Sequence, residues 1–214
     1  MSSQTDVLNA ALPPPPARSP RWLPVRSLGV RHRERMLTHL IALGEDDRHL
    51  RFGQVATDEQ IRLYVDHIDF ERDELFGIFN SKLRLVAMAH LALAADASGA
   101  EFGVSVLPSQ RGRGLGARLF EHAVTHARNR GAKSMAIHLA RENGPMLAIV
   151  RKSGAAVRFE GADAVADLPL PEDTLGSHMG AMVETQAAEL DYRMKLQVLR
   201  LDRFWQGLLP ARTL

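Results

Sequence analysis

The stretch from Gln110 to Ala117 reads QRGRGLGA, with three glycines and two arginines in eight residues, between an apolar run and an amphipathic one. Glycine at that density weakens any regular element, so the segment reads as backbone kept bare for close approach. A glycine-rich turn that opens a helix gathers unpaired N–H groups at the positive end of the helix dipole. The guest it suits is an anion, and a pyrophosphate above all. Arg111 and Arg113 would add charge-assisted bonds to phosphate oxygens. No Gly-Lys-Ser/Thr follows, so the loop is not a P-loop. Gly112, Gly114 and Ala117 do match G-x-G-x-x-A, with Glu142 further on. A dinucleotide fingerprint, however, starts where its strand ends and opens a doubly wound sheet. Here residues 107–111 intervene and too little chain follows.

Among the residues able to move a proton, Glu101 stands at the start of a β-like run and His138 within another. A histidine titrates near neutrality and so suits proton transfer. His122 and His126 lie one helical turn apart, but no third ligand accompanies them, and no metal site is expected. With zero cysteines, disulfides, thiolate zinc sites and cysteine nucleophiles are excluded.

The surrounding pattern must position these residues. VRSLGV (25–30) suits a short strand, and residues 32–44 carry Met36, Leu37, Leu40, Ile41 and Leu43 at helical spacing, ended by Gly44. Thr57 and Gln60 predict a capping box for a helix through Ile68. Runs at 75–80, 83–94 and 100–107 predict a three-stranded meander. After the glycine loop, Leu115, Leu119, Ala123 and Val124 line one helical face, closed by Gly131. A strand at 134–140, a helix at 145–154 with Pro145 in its first turn, and a strand at about 155–161 complete the domain. The expected organisation is a disordered proline-rich tail over 1–21, one domain over 22–160, an acidic loop over 161–180 and a long amphipathic helix over 181–209. That helix would pack on its own domain or on a second copy, giving a monomer or weak homodimer.

Among 214 residues, 45% are hydrophobic and 24% charged, the composition of a soluble globular protein. The net charge of +2 and the absence of nucleic-acid-binding motifs argue against a nucleic-acid partner. No apolar run approaches the roughly 20 residues that span a bilayer, so no membrane association is expected. The N-terminus lacks a signal-peptide pattern, which makes a cytoplasmic protein the default.

Arg111-Gly112-Arg113-Gly114-Leu115-Gly116 resembles the Gln/Arg-x-x-Gly-x-Gly/Ala motif of the GNAT superfamily of acyl-CoA-dependent N-acetyltransferases. The strand triplet Val104-Ser105-Val106 precedes it, and Asn143, Met146, Ile149, Lys152 and Gly154 follow in the family's Asn-to-Gly helix pattern. HLRFG (49–53), AEFGVSV (100–106) and RENGPMLAIVRKSGA (141–155) resemble one branch, the acetyltransferase domain of bacterial protein-lysine acetyltransferases. The resemblance implies an α/β (α+β) GNAT fold with a mixed, mostly antiparallel sheet flanked by helices. It implies acetyl-CoA as co-substrate, with no metal, and a primary amine as acceptor, such as a protein lysine. A small-molecule or antibiotic acetyltransferase and a non-catalytic acyl-CoA-binding module are the alternatives.

By the same resemblance, amides of Gly112, Arg113, Gly114, Leu115, Gly116 and Ala117 would hold the pyrophosphate, with Arg111 and Asn143 beside them. Val104, Ser105 and Val106 would pair with the pantetheine arm, and an N–H near Val104 would polarise the acetyl carbonyl. Glu101 would be the general base, with His138 the second candidate. The chain departs from the family at Val150, where many members carry a tyrosine that protonates the leaving thiolate.

Overall fold

A computed structural model describes residues 23–95 and 98–170. The tail expected over 1–21, the helix expected over 181–209 and residues 171–180 of the expected acidic loop lie outside the described residues. The elements run β1 (Val25–Leu28), α1 (Arg33–Ile41), α2 (Glu45–Phe52), α3 (Asp58–Asp66), β2 (Glu74–Phe79), β3 (Leu85–Leu93) and β4 (Gly99–Val106). Then come α4 (Leu115–Asn129), β5 (Ser134–Ala140), α5 (Gly144–Lys152), β6 (Ala156–Glu160) and β7 (Asp163–Pro169).

Seven strands form one sheet in the order β1-β2-β3-β4-β5-β7-β6. Every pair is antiparallel except β4–β5, which is parallel. Hairpins build the first half because short turns suffice, whereas the parallel step needs α4 as a crossover. β3 alternates little and is nearly all apolar (LVAMAHLAL), as befits a central strand covered on both faces. Its cover is α1 on one side and α4 on the other. His39 of α1 reaches Ser105, while Phe120 of α4 meets Phe102 edge-on. Odd and even residues of β4 point to opposite faces, so these two contacts mark the two sides of the sheet.

α4 follows the expected apolar stripe: Leu115, Leu119, Ala123 and Ala127 step by four residues and are all buried. The α3 capping box forms as the sequence predicts. Gln60 N donates to Thr57 Oγ1 at 3.2 Å, and Thr57 N donates to Gln60 Oε1 at 2.9 Å.

Two elements depart from the sequence reading. Residues 45–52, for which the sequence pattern predicts no element, form α2, none of whose residues is buried. Its three leading acids, Glu45, Asp46 and Asp47, complement the helix dipole. Gly53 ends it at φ +72°, in the left-handed conformation that closes many helices. The second is β7, which lies within the stretch read as acidic loop. Ala164, Ala166 and Leu168 alternate inward between exposed Asp163, Asp167 and Pro169, a period-two pattern muted by small alanines. Both segments had too little apolar content to signal an element, yet both help build the site.

Candidate active site

Pairing between β4 and β5 covers only Gly99↔Ser134, Ala100↔Met135 and Glu101↔Ala136. Beyond Glu101 the two strands separate. Leu107 N donates to Val86 O, so odd-numbered residues of β4 direct their backbone groups toward β3. The even-numbered Val104 and Val106 therefore direct N–H and C=O toward the β5 side, where no strand pairs with them. Arg111 Nε, 3.4 Å from Val106 O, lies on that side. An unpaired strand edge inside a cleft is a template for an extended ligand carrying amides.

The glycine loop lies at the end of that edge. Gly112 and Gly114 adopt φ +71° and +72°, and Gly114 is the N-cap of α4. That is the left-handed region that favours glycine. The first intrahelical bond to the cap is Arg118 N to Gly114 O, so the amides of residues 115–117 remain for a guest. Together with Asn143, Met146 and Ile149 from α5 and its cap, and Asp47, Leu50 and Arg51 from α2, the loop encloses a cavity of about 530 Å³. That is the size of an ordinary ligand site. All the sequence-predicted binding residues line it except Arg113, whose guanidinium bonds Gln110 Oε1 instead. Arg111 does line it, but its guanidinium pairs with Asp47 of α2. Asn143 accepts a bond from Met146 N at 3.2 Å and so caps α5. Ser105 is buried, its hydroxyl meets His39 Nε2 at 2.8 Å and its backbone groups face β3, so it lines the cavity without offering a polar group to a ligand. Val150 is fully buried in α5, where an aliphatic side chain has no proton to give.

A second cavity, of about 540 Å³, continues along β4 past the first and shares Leu50 and Arg51 with it. Glu101 and His138 both line this second cavity, with Tyr64, Glu160 and Asp163. The shared face follows from register, because Glu101 pairs with Ala136 and His138 lies two residues on. Three carboxylates face one guanidinium there, so the wall favours a cation. Arg51 lies flat against β4: a Cβ on Gly103 would come within 2.5 Å of its Nη1, so only glycine admits it. Its Nη2 donates to Tyr64 Oη at 2.8 Å, and Tyr64 Oη lies 2.6 Å from His90 Nδ1. His90 Nε2 in turn lies 3.0 Å from Asp73 Oδ2. Asp47, Arg51, Tyr64, His90 and Asp73 were not singled out from sequence. Asp47 and Arg51 share α2, but Tyr64, His90 and Asp73 come from other segments with no spacing in common, and only the HLRFG phrase touched one of the five. Among the described residues, no group of three or more His, Cys, Asp or Glu side chains is placed to hold a metal ion, and no helix is long and apolar enough to cross a membrane.

A glycine loop at a helix N-terminus, beside a splayed strand edge, has the chemistry to seat an anion joined to an extended, amide-bearing arm. The model of the acetyltransferase (GNAT) family matches residues 38–155, more than half of the chain, and the chain belongs to that family. It is an acetyltransferase domain, and the family's co-substrate is acetyl-CoA.

Solved structures share the fold. The GNAT domain of S. lividans PAT is 20% identical over 69% of this chain and 90% of its own, with TM-score 0.59. An N-acetyltransferase from Staphylococcus aureus Mu50 is 13% identical over 70% and 99%, with TM-score 0.58. The ribosomal-protein-S18-alanine N-acetyltransferase from Escherichia coli is 16% identical over 72% and 97%, with TM-score 0.55. No curated protein matches the sequence.

Proposed function

We propose that this chain moves the acetyl group of acetyl-CoA onto a cationic primary amine, with a lysine side chain on a protein as the preferred acceptor. The observation that carries this reading is the meeting of two unlike cavities on β4, one framed by glycine-loop backbone and the other by carboxylates. The first would take acetyl-CoA, its pyrophosphate on the amides of residues 112–117 and its pantetheine arm along Val104 and Val106. The thioester would then lie where the cavities meet, near Gly103 and Val104. There the Val104 N–H would polarise the carbonyl, a donor fixed before the reaction begins.

The acceptor enters from the other side as an ammonium, since a lysine amine titrates at about 10.4. Glu101 is the proposed base: it is exposed on the acceptor cavity at the point where β4 and β5 part. His138 shares that wall and is the second candidate. The thiolate leaves without a tyrosine at position 150, helped by a thiol basicity of about 8.5 for cysteine-like sulfur. The lysine preference rests on the acidic wall, on the open second cavity and on the sequence resemblance of residues 49–53, 100–106 and 141–155 to lysine-acetyltransferase domains.

The test is release of free CoA from acetyl-CoA across a panel of lysine peptides, polyamines and aminoglycosides. Turnover of lysine peptides above the small amines is expected. Turnover of polyamines or aminoglycosides alone would replace the lysine acceptor, and acetyl-CoA binding with no amine-dependent release would overturn the catalytic reading.

A further inference from the structure

The hydrogen-bond chain behind the acceptor cavity has a direction that its chemistry fixes. Asp73 is almost wholly buried and accepts from Arg72 Nε at 3.0 Å. As a carboxylate it can only accept. His90 Nε2, 3.0 Å from Asp73 Oδ2, must therefore carry a hydrogen and donate it. Burial is the largest influence on His90 and holds its pKa below the ordinary histidine value. Arg51 pushes the same way, while Asp73 and Glu101 pull against it. The ring is neutral at pH 7, and its Nδ1 is then an acceptor. Arg51 can only donate to the Tyr64 oxygen, so the Tyr64 hydroxyl gives its hydrogen to His90 Nδ1. Tyr64 is only half-buried and lines the same cavity as Glu101, so its oxygen keeps a lone pair on the acceptor side. The charged and titratable groups facing His90 are Asp73 with Arg72, Tyr64 from α3, Arg51 from α2 and Glu101 from β4.

Acyl transfer to an ammonium requires its nitrogen to lose two protons. Glu101 can hold one of them. The other needs a second acceptor on that wall: His138 stands there as the alternative to Glu101, and position 150 has no proton to exchange. We propose that Tyr64, His90 and Asp73 form a proton relay opening on the acceptor cavity, in which the Tyr64 oxygen takes the second proton from the acceptor nitrogen. This rests on the acetyl-transfer reading above. As the C–N bond forms from the nitrogen lone pair, the C–S bond breaks, and its electron pair leaves on sulfur, which is protonated by water. The acceptor proton goes to the Tyr64 oxygen while the former Tyr64 proton goes to His90 Nδ1. Asp73 stabilises the imidazolium so formed, as a carboxylate does behind the histidine of a hydrolase triad. The relay resets when His90 returns a proton to Tyr64 and Tyr64 releases one to solvent. Arg51, stacked on the Tyr64 ring and bonded to its oxygen, opposes any build-up of proton on that oxygen.

The wild-type protein supplies the first measurement, a ¹⁵N imidazole titration by NMR without substrate. His90 should be neutral at pH 7.5, with the hydrogen on Nε2 and a midpoint below the ordinary histidine value. An imidazolium at pH 7.5, or a hydrogen on Nδ1, overturns the relay whatever the activity. The second measurement uses acetyl-CoA and a lysine peptide. Tyr64→Phe should lower kcat at least about tenfold, within the usual worth of a positioned proton acceptor, and leave acetyl-CoA affinity unchanged. It should also remove the acidic limb of the kcat profile that matches the His90 midpoint. Because the members act as a unit, adding His90→Gln should cost little more. A normal kcat and an intact acidic limb in Tyr64→Phe, with Glu101→Gln inactive, would sink the relay and leave the acetyl-transfer reading standing. The opposite failure, no CoA release by the wild type with any amine, would sink that reading while NMR still judges the relay.

Discussion

The two cavities lie end to end on β4 and are built from different material. The first sets backbone among aliphatic side chains such as Leu43, Leu50, Met146 and Ile149: the open edge at Val104 and Val106, and the glycine loop with its two left-handed glycines. The second is walled by side chains from α2, α3, β4, β5 and the β6–β7 turn, with three carboxylates among them. A backbone site recognises what every acyl-CoA shares and depends on conformation more than on residue identity. A side-chain site recognises what differs between acceptors and depends on charge and protonation. The division means that a mutation on one side should spare the other.

The largest break in that symmetry should come at Glu101. Glu101→Gln keeps the shape of the second cavity but removes the proposed base, so kcat should fall by roughly 10²–10⁴-fold. Calorimetry should show acetyl-CoA binding almost unchanged. A near-normal kcat in this variant, with activity lost in His138→Ala, would transfer the base to His138.

A second test asks what holds the backbone half in place. His39 ties α1 to β3 through Leu85 O at 3.2 Å and to β4 through Ser105 Oγ at 2.8 Å. Burial above all lowers its pKa to about 4, and its ring nitrogens meet a carbonyl and a hydroxyl, not a carboxylate. The unfolded chain, whose histidine titrates at about 6.5, then binds a proton that the folded chain refuses. Stability is therefore full above pH 6.5 and falls as pH drops from there toward about 4. His32, also lowered to about 4, adds to the same loss. For His39 the loss approaches about 3 kcal/mol. His39→Gln should flatten the dependence of thermal midpoint on pH over that window. An equally steep dependence in the variant would show that other groups govern it.

The smallest effect is expected at Gly114. A valine there must adopt φ +72°, a region that β-branched residues strongly avoid, and it would disturb the first turn of α4. Gly114→Val should weaken acetyl-CoA binding by at least about tenfold, or about 1.4 kcal/mol, and leave kcat at saturation close to normal. Unchanged affinity in a folded variant would remove the loop from the binding site.

How much of this was legible in the sequence follows the same division. The glycine loop, the strand before it and Asn143 are near one another in the chain, and backbone chemistry leaves local marks such as glycine spacing and caps. The core elements were legible for a related reason, since α4 and β3 must bury apolar faces of fixed period. On the other side the sequence singled out only Glu101 and His138. Tyr64, His90 and Asp73 are brought together by the β2–β3 pairing and the packing of α3, not by spacing. α2 has no buried stripe to betray it, and β7 hides its period behind alanines. Arg111 was legible as a cation, but its ion pair with Asp47 depended on an unforeseen helix.

That helix is also held by unusual means. Arg48 is its main fastening: Nε donates to Leu43 O at 3.0 Å, Nη1 to Ala56 O at 2.9 Å, and Nη2 to Ile41 O at 2.8 Å. Nη2 also pairs with Asp58 at 2.7 Å. One guanidinium thus laces the end of α1 to the start of α3 across the base of α2, while α2 itself buries no residue. The remaining ties of α2 run to site elements: Asp47 pairs with Arg111 of the glycine loop, and Arg51 bonds Tyr64 of α3 and lies over Gly103 of β4. Grafting this helix into another acetyltransferase would therefore have to carry Gly103, Tyr64 and Arg111 along with Arg48 and its carbonyl partners.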